Sequence, residues 1–600
     1  MALRDLVVQS VEPYAGGRPW GEPGAYEMVR CTVRYAVDPD DPANAAITDL
    51  AAAPRGPDGC VAFAGDLQVL RPKSPGAGNG GLVVEIPNRG GWRLPYELPA
   101  GDGFLLRRGW TVAWCGWQWD IERGSGQLGL TVPEVAGGGS VRVEFSPPRP
   151  CAEHPLDRDL PGRAGRAVYP VADLAQSDAA MYARDPATGR RTLLPRGDWR
   201  FPTPGSVSLD GGFSPTSTYE VIYRTDHCPV AGLGLLAARD AVAHLRARGH
   251  DRAHAFGVSQ SGRFLRQFLF HGLNVDEGGR RVFDGVHAHV AGARRGEFNA
   301  RYGQASVSSA PGFCDLPPFD AAGLLAEQRR RGGLAKVILT NSAWEYWRGD
   351  AALGHIAGGA DVAEDPDVRS YLLCAGDHLG GAGQLPGAAP VRNPGNDLVV
   401  APLLRAAFIN LDGWVRDGVA PPASRVPRVA DGTAAPREAV WETLGRVPGF
   451  ARPSILTRLF EVDLGPDADA GIARYPVALG APLPVWVGAV DADGNEVGGL
   501  RLPDLSVPVA TITGWNAATT GVLALYLGSR LPFARTRAER LEAGDPRPAL
   551  EERYRDRGDY EARVRRATDA LVADRLVLAE DVEAVVAACL RRFDRIAAPA

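Results

Sequence analysis

A series of short, almost wholly apolar runs sets the strongest limit on how this chain can fold: GLVVEIP at 81–87, WTVAWC at 110–115, AHAFGV at 253–258, GVHAHVAGA at 285–293, KVILT at 336–340 and RSYLLC at 369–374. A strand with one wet face alternates apolar and polar residues, and these runs do not. They read as strands buried on both faces, which belong to a parallel sheet covered by helices. The intervening chain supplies the helices. In GLGLLAARDAVAHLRARG (232–249), Leu235, Ala238, Val242 and Leu245 recur at helical spacing and Gly249 follows as a stop. GFLLRRG (103–109) reads as a short helix, AAGLLAEQRRRGG precedes the run at 336, and PLLRAAFINLDGWVRDG (402–418) spaces Leu404, Phe408, Leu411 and Val415 along one face.

Other regions have a different texture. Residues 1–80 form a β-rich N-terminal region, with YEMVRCTVRYAV and GCVAFAGDLQVL separated by Pro, Gly and Asp clusters. The α/β core starts over 81–120 and is interrupted by a β-rich insertion at 121–218, whose pieces, such as VRVEF, are expected to pair with the N-terminal strands. The core resumes over 219–430, followed by an accessory loop-rich region at 431–535 and a charged, helical segment at 536–600. The class is therefore α/β, with a mainly parallel sheet, an accessory β-rich region and a helical C-terminal tail.

Composition excludes several functions. The net charge of −5 comes without a long basic block, so no nucleic-acid partner is expected. The eight cysteines show neither CxxC nor metal-ligand spacing, and they read as reduced, mostly buried thiols. No apolar run reaches the ~18 residues of a membrane span, and the N-terminus lacks a signal-type core. The expectation is a soluble, cytoplasmic protein with no membrane partner and no cofactor.

Chemistry centres on HAFGVSQSGRFLRQFL (254–269), where a strand turns into a helix. Such a turn can expose a serine Oγ at the carboxyl end of the sheet, provided that the residues two before and two after it are small. Ser259 meets this with Gly257 and Ser261; Ser261 would have Arg263 in the crowded place. The competing reading of Ser259 is an ordinary helix N-cap. A nucleophilic serine needs a base and an acid to orient it, and in this kind of fold they follow in the order serine, acid, histidine on later strand ends. After 336–340 comes NSAWEYWRGD, read as a loop with Glu345 as acid and Asp350 as fallback. After 369–374 comes AGDHLGG, with His378 as base among glycines. Parallel strands bring their carboxyl ends to one edge of the sheet.

These residues resemble a family. The stretch GVSQSGRFLRQFLFHGLNVDEGGRRVFDGVHAHVAGARRGEFNARYGQ is similar to the signature of bacterial α/β-hydrolase-domain proteins, as are EIPNRGG, GWTVAWCGWQWD, LDGWVRDGVAPPASRVPRVADGT and VPVATITGWN. The turn also resembles the G-C-S-R-N-G-K turn of glucuronoyl esterases. Those enzymes use the arginine to help stabilise an oxyanion, and Gln260 stands in its place, so the resemblance does not extend to their substrate. It implies an α/β-hydrolase fold and a serine esterase.

The reaction expected is carboxylic ester hydrolysis through an acyl-enzyme, with Ser259, Glu345 and His378 catalytic. An acyltransferase would use the same three residues with an alcohol in place of water, and a catalytically silent hydrolase fold would only bind. The oxyanion is assigned to the backbone N–H of Gln260 and to the Asn88, Arg89 and Gly90 loop, each donor being worth roughly 10²–10³ in rate. Arg263, Trp344 and Trp347 are candidates for contacting a small-molecule ester, and Arg294 and Arg295 read rather as ion pairs. His287 and His289 share a strand face, as metal ligands can, but no third ligand is evident and buried, satisfied imidazoles are the better reading.

Overall fold

The computed structural model describes residues 3–99, 101–124, 126–156, 169–306, 312–381, 390–524 and 526–598. Contacts divide the chain into two units, Met1–Val337 with Leu459–Pro482 and Ile338–Arg458 with Leu483–Ala600. Residues 219–430, read from sequence as one stretch of core, contribute to both.

In the first unit the strands are β1 (Leu3–Pro13), β2 (Tyr26–Val37), β3 (Val61–Pro72), β4 (Gly81–Glu85), β5 (Thr111–Cys115) and β6 (Leu130–Thr131). The accessory region adds β7 (Gly139–Phe145), β8 (Cys151–Pro155), β9 (Ala180–Arg184), β10 (Arg191–Leu194), β11 (Trp199–Thr203), β12 (Ser206–Phe213) and β13 (Thr218–Thr225). After α1 (Leu233–Arg246) come β14 (Arg252–Val258), α2 (Gln260–Phe270) and β15 (Gly285–His289), then the short helices α3 (Ala321–Leu324) and α4 (Ala326–Arg331). The principal sheet runs β1-β2-β3-β5-β4-β14-β15. Its β5, β4, β14 and β15 pair in parallel, and every residue of β4, β5 and β15 is buried, as uninterrupted apolar runs require. The N-terminal strands are not a separate layer: β1, β2 and β3 continue the same sheet in antiparallel register, with β3 joined to β5 from Leu67↔Cys115 to Leu70↔Val112.

The expected pairing of the insertion with the N-terminal strands holds only for two-residue β6, which lies on β3. The rest forms its own sheets, β10-β9-β13-β7 and β11-β12-β8. The reason lies in period-two alternation. Val141, Val143 and Phe145 face Tyr223, Val221 and Tyr219 across the β7/β13 ladder and bury together with Trp199, Phe201 and Phe213, so these strands have a core of their own. The short helix expected at 103–109 is a single 3-10 turn, Leu106–Arg108.

The second unit takes over within β16 (Lys336–Ser342), which is followed at once by α5 (Ala343–Arg348). A strand at Val368–Leu373 neighbours β16. Helix α6 (Ala401–Asp417) buries Leu403, Ala407, Leu411 and Trp414. That stripe is turned from the expected one: Phe408 and Leu411 are buried, while Leu404 and Val415 lie at its margin. Trp347, Trp515, Leu372 and Leu373 complete this core. The C-terminal helices Arg557–Ala573 and Val582–Ala597 pack through Tyr560, Val564, Cys589 and Phe593. Among the described residues no helix is long and apolar enough to cross a membrane.

Candidate active site

One residue joins β14 to α2. Ser259 has φ 59 and ψ −114, a conformation that L-residues avoid and that costs of order 1–3 kcal/mol unless the surroundings enforce it. The surroundings do so. Its N–H donates to the His289 carbonyl at 2.8 Å and its carbonyl accepts the Arg263 N–H at 2.9 Å. A Cβ on Gly257 would lie 2.4 Å from the Ser261 carbonyl oxygen, and one on Gly262 2.9 Å from that of His289, so both must be glycine for the turn to close. The Ser259 side chain makes no capping hydrogen bond, which removes the N-cap reading. Ser261 is engaged within the turn: its hydroxyl accepts the Val258 N–H at 2.9 Å and donates to the Val258 carbonyl at 3.0 Å.

The 88–91 loop is tied to the same turn. Asn88 Nδ2 donates to the Val258 carbonyl at 2.9 Å. Gln260, fully buried, accepts the Arg89 N–H on Oε1 at 3.1 Å and donates through Nε2 to the Ala305 carbonyl. Asn88 and Gly91 exchange their backbone bonds with each other. Of the three loop residues expected to stabilise an oxyanion, Asn88 and Arg89 therefore spend their amides elsewhere. Among the described residues no acceptor takes the Gly90 N–H. Arg89 itself is buried, with Nε donating to the Ser306 carbonyl at 3.3 Å.

In the second unit Glu345 and His378 are joined, Nδ1 to Oε1, at 2.5 Å. The other carboxylate oxygen of Glu345 accepts both the N–H (2.9 Å) and the hydroxyl (2.5 Å) of Ser342. Glu345 does not lie in a loop. The sequence Ser-Ala-Trp-Glu carries the signature in which a residue in the first turn reaches back to the residue before the helix, and that contact starts α5 directly at the strand end. Burial alone would push the Glu345 carboxyl up, but the neighbouring His378, Arg348 and Ser342 hold it below the usual carboxylate range. Asp350, the fallback acid, is committed to Arg348 at 2.6 Å.

A profile of the family described as "Alpha/beta hydrolase domain" matches residues 230–587, more than half of the chain. The chain belongs to the α/β-hydrolase domain family. The matched span holds the turn, α5 and the His378 loop, but neither the N-terminal strands nor the β-rich insertion. Among solved structures, a glucuronoyl esterase from Solibacter usitatus is 12% identical, covering 61% of this chain and 80% of that one with a TM-score of 0.25. The rice cell wall degrading esterase LipA from Xanthomonas oryzae is 9% identical, covering 58% and 84% with a TM-score of 0.21. Values this low carry no argument. No curated protein matches the chain.

The remaining residues singled out in this α/β-hydrolase sort by their contacts. Trp344 stands edge-on to the His378 ring at 5.4 Å and donates to the Ala524 carbonyl at 3.2 Å. Trp347, expected beside it as a substrate contact, instead packs on Trp441 and Trp515 in the core. Arg263 is buried on α2. Arg294 pairs with Asp315 at 2.7 Å, and Arg295 lies over the Phe270 ring and donates to the Leu316 and Pro317 carbonyls. The His287 Nδ1 is 3.1 Å from the Tyr96 hydroxyl, and burial drives its pKa well below the ordinary value. Among the described residues no cluster of three His, Cys, Asp or Glu could hold a metal.

Three residues escaped the reading of the sequence. Ser342 was legible in the Ser-x-x-Glu signature. Asp377 accepts the Leu379 and Gly381 amides at 3.1 and 3.0 Å, an Asx turn that Asp-His-Leu-Gly-Gly announces. Tyr526 stacks on His378 with centroids 4.3 Å apart and planes at 22°, and nothing local marks it.

Proposed function

We propose that this chain is a serine hydrolase that cleaves carboxylic esters of small molecules through an acyl-enzyme, with Ser259 as nucleophile, His378 as base and Glu345 as its orienting acid. The observation that carries the reading is the Glu345–His378 hydrogen bond. A buried carboxylate at Nδ1 selects the tautomer protonated there and leaves Nε2 as a proton acceptor. In this reading the Ser259 proton passes to His378 Nε2 as Oγ attacks the ester carbonyl, and the carbonyl π electrons move onto oxygen. Collapse expels the alcohol, which takes the proton from His378, and water then repeats the steps to release the acid. The backbone N–H groups of Gln260 and Gly90 are the proposed oxyanion donors, each worth about 10²–10³ in rate. Trp344 and Arg263 are the proposed substrate contacts. A reducing, cytoplasmic setting accords with eight cysteines that form no disulfide among the described residues.

The test is labelling with a fluorophosphonate probe. Wild type and Ser261→Ala are expected to label and Ser259→Ala not to. Labelling that survives in Ser259→Ala would sink the assignment. Product analysis in the presence of added alcohols separates hydrolysis from acyl transfer.

A further inference from the structure

The hydrogen bond that His378 Nδ1 donates to Glu345 holds one edge of the imidazole. Tyr526 holds its face. Its ring lies nearly parallel to the imidazole with centroids 4.3 Å apart, while Trp344 meets the same ring edge-on at 61°. A face-on contact leaves both nitrogens at the imidazole edge unobstructed, Nδ1 toward Glu345 and Nε2 for a proton.

The backbone holds Tyr526 there against resistance. Its φ is 67, a left-handed conformation in which a bulky residue is an outlier. Such outliers persist only where the surroundings over-determine them. Here both sides are anchored. Ala524 donates to the Asn516 carbonyl at 2.8 Å, and its own carbonyl accepts Trp344 Nε1, on the residue next to Glu345. Two residues after Tyr526, the Gly528 N–H donates to Asp377, next to His378. A Cβ on Gly528 would lie 2.4 Å from the Thr513 carbonyl oxygen. The segment is thus tied on one side to the residue beside the acid and on the other to the residue beside the base.

We infer that Tyr526 is a positioning residue for the proposed reaction: its ring holds the plane of His378 and favours the imidazolium that forms when Ser259 surrenders its proton. The physical basis is twofold. Stacking restricts the ring to the plane in which Nε2 can accept the proton. The negative face of a tyrosine attracts a cation lying over it, so the contact strengthens as the imidazole becomes charged. An interaction stronger in the transition state than in the ground state lowers kcat when lost and leaves KM nearly unchanged.

This role rests on the serine hydrolase reading, and the experiment separates the two. Tyr526→Phe keeps the face; Tyr526→Asn removes it while suiting the left-handed backbone. With an ester that the wild type turns over, Tyr526→Phe is expected to retain kcat within about twofold, and Tyr526→Asn to lose about tenfold in kcat with KM little changed. An unchanged kcat in Tyr526→Asn, or a loss that appears in KM alone, overturns the role, and so does an equal loss in Tyr526→Phe, which would assign the effect to the hydroxyl. Should Tyr526→Asn fail to fold, wild-type NMR decides: the His378 ring protons, assigned by their disappearance in His378→Gln, are expected upfield of those of exposed histidines. Unshifted resonances overturn the stack. A wild type that neither takes the fluorophosphonate nor cleaves any ester fails the underlying reading, and this role with it.

Discussion

Two serine hydroxyls stand within one tight turn, and hydrogen bonding separates their tasks. Ser261 satisfies both polar groups of the Val258 peptide flank, and Ser259, in its left-handed conformation, has no capping duty. Ser261→Ala leaves the Val258 N–H without its partner in a tight turn, while the Val258 carbonyl keeps Asn88 Nδ2. It is expected to cost about 1–3 kcal/mol, read as a lowered midpoint in urea, with fluorophosphonate labelling retained. A variant as stable as wild type would contradict the structural role given to that hydroxyl. The sequence could nominate Ser259 because the steric rule for such turns is local, and Glu345 and His378 because each is an early titratable residue past its strand. It could not nominate Tyr526. A ring stacked on His378 from a position far along the chain leaves no trace in spacing, and the left-handed φ that permits it belongs to a residue type that ordinarily refuses it.

At the scale of elements, β7 and β13 show how a half-polar sheet is held. One face of the ladder is apolar; on the other, Glu144 lies directly opposite Glu220, a like-charge pair that would destabilise the sheet alone. Arg142 reaches both, bonding Glu220 at 2.7 Å, and Arg184 meets Glu144 at 3.0 Å. All four are buried or nearly so. Arg142→Met removes the cation shared by both carboxylates, leaving Glu144 only Arg184 and Glu220 only Arg191 at 3.2 Å, and is expected to destabilise by up to about 3–5 kcal/mol. Adding Glu144→Leu and Glu220→Leu to it is expected to recover only part of that, because Arg184 then stays buried without its carboxylate. Denaturant midpoints of the single and triple variants check this. The alternation of Val141, Val143 and Phe145 made these strands legible, but their partners were not, since pairing between strands is fixed by packing and turn geometry across the intervening chain. Conversely, the Ser342–Glu345 signature showed where α5 begins, and reading that stretch as a loop overlooked it.

For the whole molecule, buried carboxyls set the pH dependence. Burial pushes Glu85 up to about 8 and Glu496 up to about 7, from an ordinary 4.5, although each accepts a backbone N–H. Asp377 is raised to about 6 by burial. In these windows the folded protein holds protons that the unfolded chain has released, so their contribution to stability falls as pH rises from about 5 through 8. Asp397 works in the opposite direction. It is partly buried, but Arg595, Arg592 and Arg530 hold it at about 2, and its contribution is present above the ordinary aspartate value and lost on acidification toward 2. Buried histidines such as His271 and His287, whose pKa burial lowers, act the other way below about 6.5, so the melting temperature is expected to decline between about pH 7 and pH 9, and Glu85→Gln to flatten that decline. A flat profile in wild type would contradict it. The buried strands announced an α/β protein and the family match agrees. The division into two units was not legible, because it depends on Leu459–Pro482 returning to the first, a matter of tertiary contact that hydrophobic pattern does not encode.

The capping of α5 carries one more consequence. The carboxylate that faces His378 is the same group that secures the Ser342 amide at the start of the helix. Under the proposed reaction, local folding and chemical competence are thus one equilibrium: each time the first turn frays, the imidazole loses its Glu345 anchor. The exchange of a single backbone proton, that of Ser342, would therefore keep time with how often the site falls out of readiness.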